Sequence, residues 1–331
     1  MADISLQYLD QPLNNVSVGY QNDDYYAERL FPIAPVMKQS GRYWVYGKEK
    51  FRQYETVRHA GAEAREIAPW TLSNNAYFCD DHSLKDKISD EERANSDGVD
   101  LEINTTENLT NAVLLDHEIR VANLVLGGAV SNTTLSGTSQ WSDYVNSDPI
   151  SAVEAQKTVI KKAIAKAPNT LAVSWPVFSA LRQHPKIIDR FKYTQVGVLD
   201  PEALKTAFGL DNFWVLGAEY DTANEGQTPA LDFVWGKHAL LAYVLPEPRR
   251  REVTLGYTFR WLFGAPELSG TLVKRYRQES KSAEVIEVHR YDDIQLVASA
   301  GGFVFLNATA YRQRDFRPSR AARRSRSRPT R

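Results

Sequence analysis

The run over residues 104–126 constrains the fold most. Ala112, Leu115, Ile119, Ala122 and Leu126 recur at three- and four-residue spacings, which sets them on one stripe of an α-helix. Asn104, three residues before Glu107, offers a capping box, and Gly127-Gly128 offers a stop. At 1.5 Å per residue the predicted rod is roughly 35 Å long, an organising spine. A chain of 331 residues has room for one large domain or two to three modest ones around it.

What precedes the rod is less regular. Residues 1–40 show little amphipathic order but many turn formers and aromatics, among them Tyr8, Pro12, Tyr20, Tyr25, Tyr26, Phe31, Pro32 and Pro35, which predicts an extended arm that needs a neighbour to pack on. From Gly41, Tyr43, Val45 and Phe51 interleave with Arg42, Lys48 and Lys50, and a second extended stretch covers 63–78; together they predict a long hairpin. Its tip region, 52–61, is polar and charged and is expected to project from the body. Residues 80–97 are densely charged and read as a short helix with loop.

Beyond the rod, Asp148-Pro149 opens a helix that runs to Ala167, with Asp as N-cap and Pro as first helical residue. Residues 170–174 read as a buried strand. Pro176 opens a short helix closed by His184-Pro185, and Asp200-Pro201 opens another that ends near Gly209. Strands are predicted over 212–216, 231–235, 239–245, 252–263, 271–276, 285–291 and 303–307. This is an α+β pattern with mixed sheets, not eight βα units or a doubly wound dinucleotide fold, and no repeat of solenoid or propeller period is present.

The net charge of −1 conceals an asymmetry. Nine arginines (Arg312, Arg314, Arg317, Arg320, Arg323, Arg324, Arg326, Arg328 and Arg331) against one acid, Asp315, give residues 311–331 a charge of +8, which leaves −9 on 1–310. That reads as an acidic folded body with a disordered arginine-rich tail able to attract phosphates without regard to sequence. The same abrupt change is what a non-native extension or a shifted reading frame would produce, and both readings stand. The single cysteine, Cys79, excludes an intrachain disulfide framework. The N-terminus lacks a basic segment and an apolar h-region, and the longest apolar stretch, 239–245, is far below a membrane span, so the expectation is synthesis in the cytoplasm without export and no membrane partner.

The chain carries few motifs of known chemistry. There is no phosphate-cradling G-x-x-x-x-G-K-S/T loop and no G-x-S-x-G elbow. His59, His82, His117, His184, His238 and His289 form no H-x-x-H or H-E-x-x-H pair. Asp80-Asp81-His82 reads as a solvated acidic loop, and Cys79 as a structural thiol. The adjacent pairs Asp292-Asp293 and Glu91-Glu92 point to opposite faces if extended, which makes poor acid/base couples. Trp214, Trp235 and Trp261 sit in predicted strands, where an aromatic belongs to a core or a subunit contact. No catalytic residue, cofactor or metal site is expected, and the chain is read as not an enzyme. An arm and a hairpin of this length cost conformational entropy unless another subunit buries them, which favours a building block of an assembly.

Leu30-Phe31-Pro32-Ile33-Ala34-Pro35-Val36, followed by Ser40-Gly41-Arg42-Tyr43-Trp44-Val45-Tyr46, resembles the arm-to-hairpin junction of tailed-bacteriophage major capsid proteins. Arg58-His59-Ala60-Gly61-Ala62-Glu63-Ala64 resembles the turn of their extended loop. Pro168-Asn169-Thr170-Leu171-Ala172-Val173-Ser174, then Val177-Phe178 through His184-Pro185-Lys186-Ile187-Ile188, is similar to the strand and helix that open their axial domain. The resemblance implies the Hong Kong 97-type capsid fold: an N-terminal arm (1–40), an extended β-hairpin loop (41–79), a peripheral domain with the long spine helix (80–150 and 246–310) and an axial domain (151–245), with no counterpart for the tail (311–331). It implies self-assembly into hexamers and pentamers of an icosahedral phage head that encloses double-stranded DNA, with separate scaffolding and portal proteins. It implies a place in the virion after assembly in the host cytoplasm. Arg42, Tyr43, Trp44, Tyr46 and Phe51 are the expected subunit-interface residues, and the nine tail arginines the expected contacts to packaged DNA. Lys48 and Lys50 lie where some relatives cross-link, but no motif carries that chemistry here. An encapsulin-like nanocompartment shell and an enzyme with an unrecognised site are the alternatives.

Overall fold

The computed structural model describes residues 10–20, 22–46, 52–54, 56–61, 63–64, 66–67, 72–96, 100–191, 199–224, 226–248, 252–263 and 271–310. The long helix spans Leu101–Leu124, starting three residues before the expected Asn104, because Asp100 caps it by accepting from the Ile103 amide at 3.3 Å. The chain leaves it through Val125–Ala129, where Gly128 stands at φ 90°, a conformation open to glycine.

The anticipated apolar stripe is only half-buried. The fully buried positions are Thr106, Thr110, Val113, His117, Glu118, Val121 and Ala122, of which Ala122 alone belongs to that stripe. Several elements cover the rod from different sides, so no single apolar face is required. Thr106 and Thr110 tolerate burial because their hydroxyls donate to carbonyls four residues back, at 2.8 and 2.7 Å.

A five-stranded sheet lies against the C-terminal half of the rod, in the order Ser131–Thr134, Gly302–Leu306, Ala239–Ala242, Thr170–Ser174, Asn212–Leu216. Its two central strands Ala239–Ala242 and Thr170–Ser174 are buried at every position, since both faces are covered. Leu171, Val173, Leu241 and Phe305 pack toward helices Pro149–Ile164, Trp175–Arg182 and Pro201–Phe208, while Ala172, Leu240 and Val304 pack toward Val121, Val125, Leu30 and Phe31. The Asp-Pro signals work as expected: Asp148 accepts from the Ser151 amide at 3.1 Å and Asp200 from the Ala203 amide at 2.8 Å. The sheet draws Ser131–Thr134 and Gly302–Leu306 from outside 151–245, so it crosses the boundaries expected for the axial domain.

The second five-stranded sheet is organised by the 14-residue strand Ala283–Leu296. Asp292 pairs with both Asp80 and Arg260, so Asp80–Ser89 lies on one side while Leu272–Gln278 and then Gly256–Trp261 lie on the other. Asp80–Ser89 is a strand inside the stretch read as helix and loop. As an edge strand with Ile88 as its buried residue it needs no apolar alternation, and Lys85, Asp86 and Lys87 discourage further pairing. The helix expected in that stretch follows as Asp90–Asn95, with a capping box from Ser89 and Glu92.

Residues 10–20 and 22–36 lie along the body of their own chain. Helix Gln11–Gly19 buries Leu13, Asn14 and Ser17, and the Asn14 Oδ1 accepts from the Val273 amide at 3.1 Å. The short helix Ala27–Leu30 buries Ala27 and Leu30, and Ile33–Val36 adds a parallel strand to Gly256–Trp261. The neighbour that this part of the arm needs is therefore intramolecular. Among the described residues no helix is long and apolar enough to cross a membrane.

Candidate functional site

The hairpin pairs Ser40–Tyr46 with Leu72–Phe78 in register, Gly41 facing Tyr77 and Trp44 facing Asn74. Period-two alternation gives it two unlike faces. On one, Tyr43 and Tyr77 both pack on Phe259 of the body, with ring centroids 5.1 and 4.7 Å away. On the other, Arg42 is exposed, Trp44 is 51% exposed and Phe78 53% exposed. Of the five interface candidates, the structure thus places Tyr43 inward and Arg42 and Trp44 outward. Phe51 and the side chain of Tyr46 lie outside the described residues, as do the nine tail arginines, Lys48 and Lys50.

The root of the hairpin is held by hydrogen bonds. The Cys79 amide donates to the Gln39 carbonyl at 2.8 Å, Gln39 Nε2 to the Cys79 carbonyl at 3.2 Å, and the Phe78 amide to Asp293 at 2.9 Å. Cys79 is buried between them, and burial with Asp293 and Asp292 nearby pushes its thiol up to about 12, which keeps it protonated and unreactive. The structural reading of this thiol holds.

Beneath the root lies a chain of charges, buried at Arg260, Arg290 and Asp292 and open to water at Glu28 and Asp116, that the sequence alone did not reveal. Glu28 accepts from Arg260 at 3.0 Å and Arg290 at 2.5 Å, Arg290 Nε donates to Asp292 at 2.7 Å, and Arg120 donates to Asp292 at 2.9 Å and Asp116 at 2.8 Å. Burial pushes the Glu28 carboxyl up, but Arg290 and Arg260 outweigh it and hold it at about 2. Burial likewise opposes the charge on Asp292, and Arg290 and Arg120 overcome it. His117 sits 3.6 Å from Asp292 and is kept neutral by burial and the arginines around it. Arg260, Arg290 and Asp292 at buried positions of paired strands form the network, and only that pairing sets them apart from the other charged residues of Ala283–Leu296. Asp292 and Asp293 do point to opposite faces, one buried and one at the hairpin root.

A second buried carboxyl, Glu118, faces uncharged donors. Its oxygens accept from the amides of Tyr26 and Ala27, at 3.0 and 2.7 Å, and from the Trp235 indole at 2.6 Å. Trp235 stands just after strand Leu231–Phe233 and is fully buried, in keeping with the core assignment. His184 shares a hydrogen bond with Ser147 at 3.0 Å, His238 accepts from the Asn307 amide at 3.0 Å, and His289 lies 3.0 Å from Asp81. Among the described residues no three His, Cys, Asp or Glu side chains converge on a metal position. What the arrangement can do is hold an exposed aromatic surface in place: an inner face packed on Phe259, a bonded root and an ion chain beneath it.

Known proteins share this chain's sequence pattern and fold. A family model described as phage major capsid protein E matches residues 128–232. The major capsid protein of Burkholderia phage BcepMu is 30% identical over 269 residues, covering 77% of this chain and 84% of that protein. A phage-related protein from Bordetella bronchiseptica RB50 has a similar structure, with TM-score 0.72 and 26% identity over 92% of this chain and 98% of that one. The capsid structure of the cyanophage P-SCSP1u shares the fold at TM-score 0.55 and 10% identity, over 87% of this chain and 89% of that one.

Proposed function

We propose, from the premise that the chain belongs to the phage major capsid proteins and has their Hong Kong 97-type fold, a specific account of how its copies associate. As a virion structural protein it works through contacts with further copies of itself. In this reading copies form hexamers and pentamers of an icosahedral head around double-stranded DNA, assembled in the host cytoplasm with separate scaffolding and portal proteins, and the chain carries out no catalysis. The body divides as arm, extended loop, peripheral domain and axial domain, and the hairpin of one copy lies over a neighbouring copy.

The observation that carries this account is the outward face of the hairpin. Trp44 and Phe78 present two large aromatic surfaces on a sheet whose other face is already packed, and exposed aromatic patches of this kind mark association sites. Arg42 supplies the adjoining charged anchor. A segment projecting beyond its own core recovers its ordering entropy only when a neighbour covers it.

Two deletions test the account. Removing 52–61 should leave the body folded, with an unchanged urea midpoint, while closed particles disappear; normal shells from that variant would contradict the hairpin's role. Removing 311–331 should lower the nucleic acid retained by particles and flatten its salt dependence, because each arginine lost removes a phosphate contact. Equal retention and an equal salt slope would contradict a DNA-facing tail.

A further inference from the structure

Segment 22–36 crosses the spine helix before adding its strand to the sheet, and Glu118 lies under the crossing. The carboxyl is fully buried, yet its described partners are all neutral N–H groups: two amides at the start of helix Ala27–Leu30 and the indole of Trp235. A cavity of about 220 Å³ adjoins it, lined by Tyr20, Asn22, Tyr25, Glu28 and His117 as well as Glu118 itself. The crossing segment thus forms most of the wall between this carboxyl and water. Lifting the segment would hydrate Glu118 and break two of its three hydrogen bonds.

We propose that segment 22–36 is a proton-linked strap: Glu118 takes up a proton as the strap closes over it, so the strap is held more tightly in mildly acidic than in alkaline solution.

The electrostatics agree with the geometry. Burial pushes the closed-state Glu118 up to about 7 despite its three hydrogen bonds, with the Glu28 charge adding to the rise, against an ordinary value of 4.5. A carboxyl whose value is raised on closing favours the closed form fully below 4.5 and loses that advantage as pH rises through 7. Over the whole window the closing equilibrium changes on the order of a hundredfold. The neutral acid keeps acceptor capacity on both oxygens, so its three donors stay satisfied.

Other groups facing this carboxyl act in other windows or stay in place. Tyr25 on the strap is pushed up by burial and remains neutral. Glu28, held at about 2, leaves Arg260 and Arg290 when the strap lifts, so acid below about 4.5 loosens the strap again. Asp23 and Arg29 also line the cavity. His117, on the same helix as Glu118, is kept neutral by burial and by Arg290, Arg120 and Arg260, which belong to the spine helix and the sheet and stay when the strap lifts.

The test is hydrogen exchange on the full-length chain, read as protection factors for amides 22–36 between about pH 5 and pH 8, in the wild type, Glu118→Gln and His117→Gln. Wild-type protection should fall more than tenfold toward alkaline pH, the fall should vanish in Glu118→Gln, and it should persist in His117→Gln. A flat wild-type profile, a slope that survives in Glu118→Gln, or a slope lost in His117→Gln alone would overturn the proposal. Infrared spectroscopy of the wild type covers the case in which a variant fails to fold. A protonated-carboxyl band should persist near pH 6, where solvent-exposed carboxyls are ionised, and absence of that band would overturn the proposal too.

Discussion

The Tyr77 ring lies across the Gly41 backbone, so that a β-carbon at position 41 would stand 2.6 Å from the Tyr77 hydroxyl oxygen and 2.8 Å from the ring. The two residues are register partners, and the aromatic fills the space that the glycine leaves on its way to Phe259. Gly41→Val should therefore lift Tyr77 off Phe259 and cost about 1–3 kcal/mol by overpacking. Urea unfolding measures the loss, and an unchanged midpoint would contradict a fixed hairpin root.

The two faces of the hairpin predict opposite phenotypes for neighbouring aromatics. Tyr43→Ala removes a ring packed on Phe259 and should cost the isolated chain about 1–3 kcal/mol. Trp44→Ala should leave chain stability within about 0.5 kcal/mol but weaken association at least tenfold. Unfolding midpoints set against the concentration dependence of assembly separate the two. Assembly unaffected by Trp44→Ala would remove that residue from the interface.

Buried and exposed ion pairs should differ sharply. Asp292→Asn leaves Arg290 and Arg120 facing a neutral amide beneath the hairpin root, a loss of about 3 kcal/mol or more. Arg277→Ala breaks an equally well-formed pair with Asp90, but one open to water, and should cost far less. Comparable losses from the two variants, measured in urea, would contradict the role given to burial.

Acid should destabilise the whole chain in two stages. Burial depresses His117, His184 and His238, the last to about 4, so unfolding releases them to take up protons and stability falls as pH drops below about 6.5. Glu118 acts in the opposite sense over that range but is one group against three. Below about 4.5 the loss steepens, because Glu28 and Asp292 are held low in the fold and gain protons on unfolding. Urea midpoints across this range should decline toward acid, and a midpoint higher at pH 5 than at pH 7.5 would contradict the sign.

Much of the scaffold was legible because its signals are local. Asp-Pro caps place helices Pro149–Ile164 and Pro201–Phe208, glycine marks the ends of Leu101–Leu124 and Pro201–Phe208, and the apolar run of Thr170–Ser174 marks a strand buried on both faces. What could not be read depends on distant partners. Strand Asp80–Ser89 has the composition of a loop and is a strand because Ala283–Leu296 offers it ten paired positions. Residues 10–20 and 22–36 lack amphipathic order because they are held by single contacts, such as Asn14 to Val273 and Glu118 to Ala27, instead of by an apolar stripe. At the candidate site, the interleaving of Tyr43 and Val45 with Arg42 was visible in sequence. Which face turned inward was decided by Phe259, more than two hundred positions away along the chain.

Electron microscopy of the purified full-length protein, with absorbance at 260 and 280 nm read on the same size-exclusion fractions, tests the assembly account most directly. The account predicts closed shells or rings of five and six copies, with hairpin density continuous with a neighbouring copy. A uniform monomer that stays monomeric when scaffolding protein is added would contradict it.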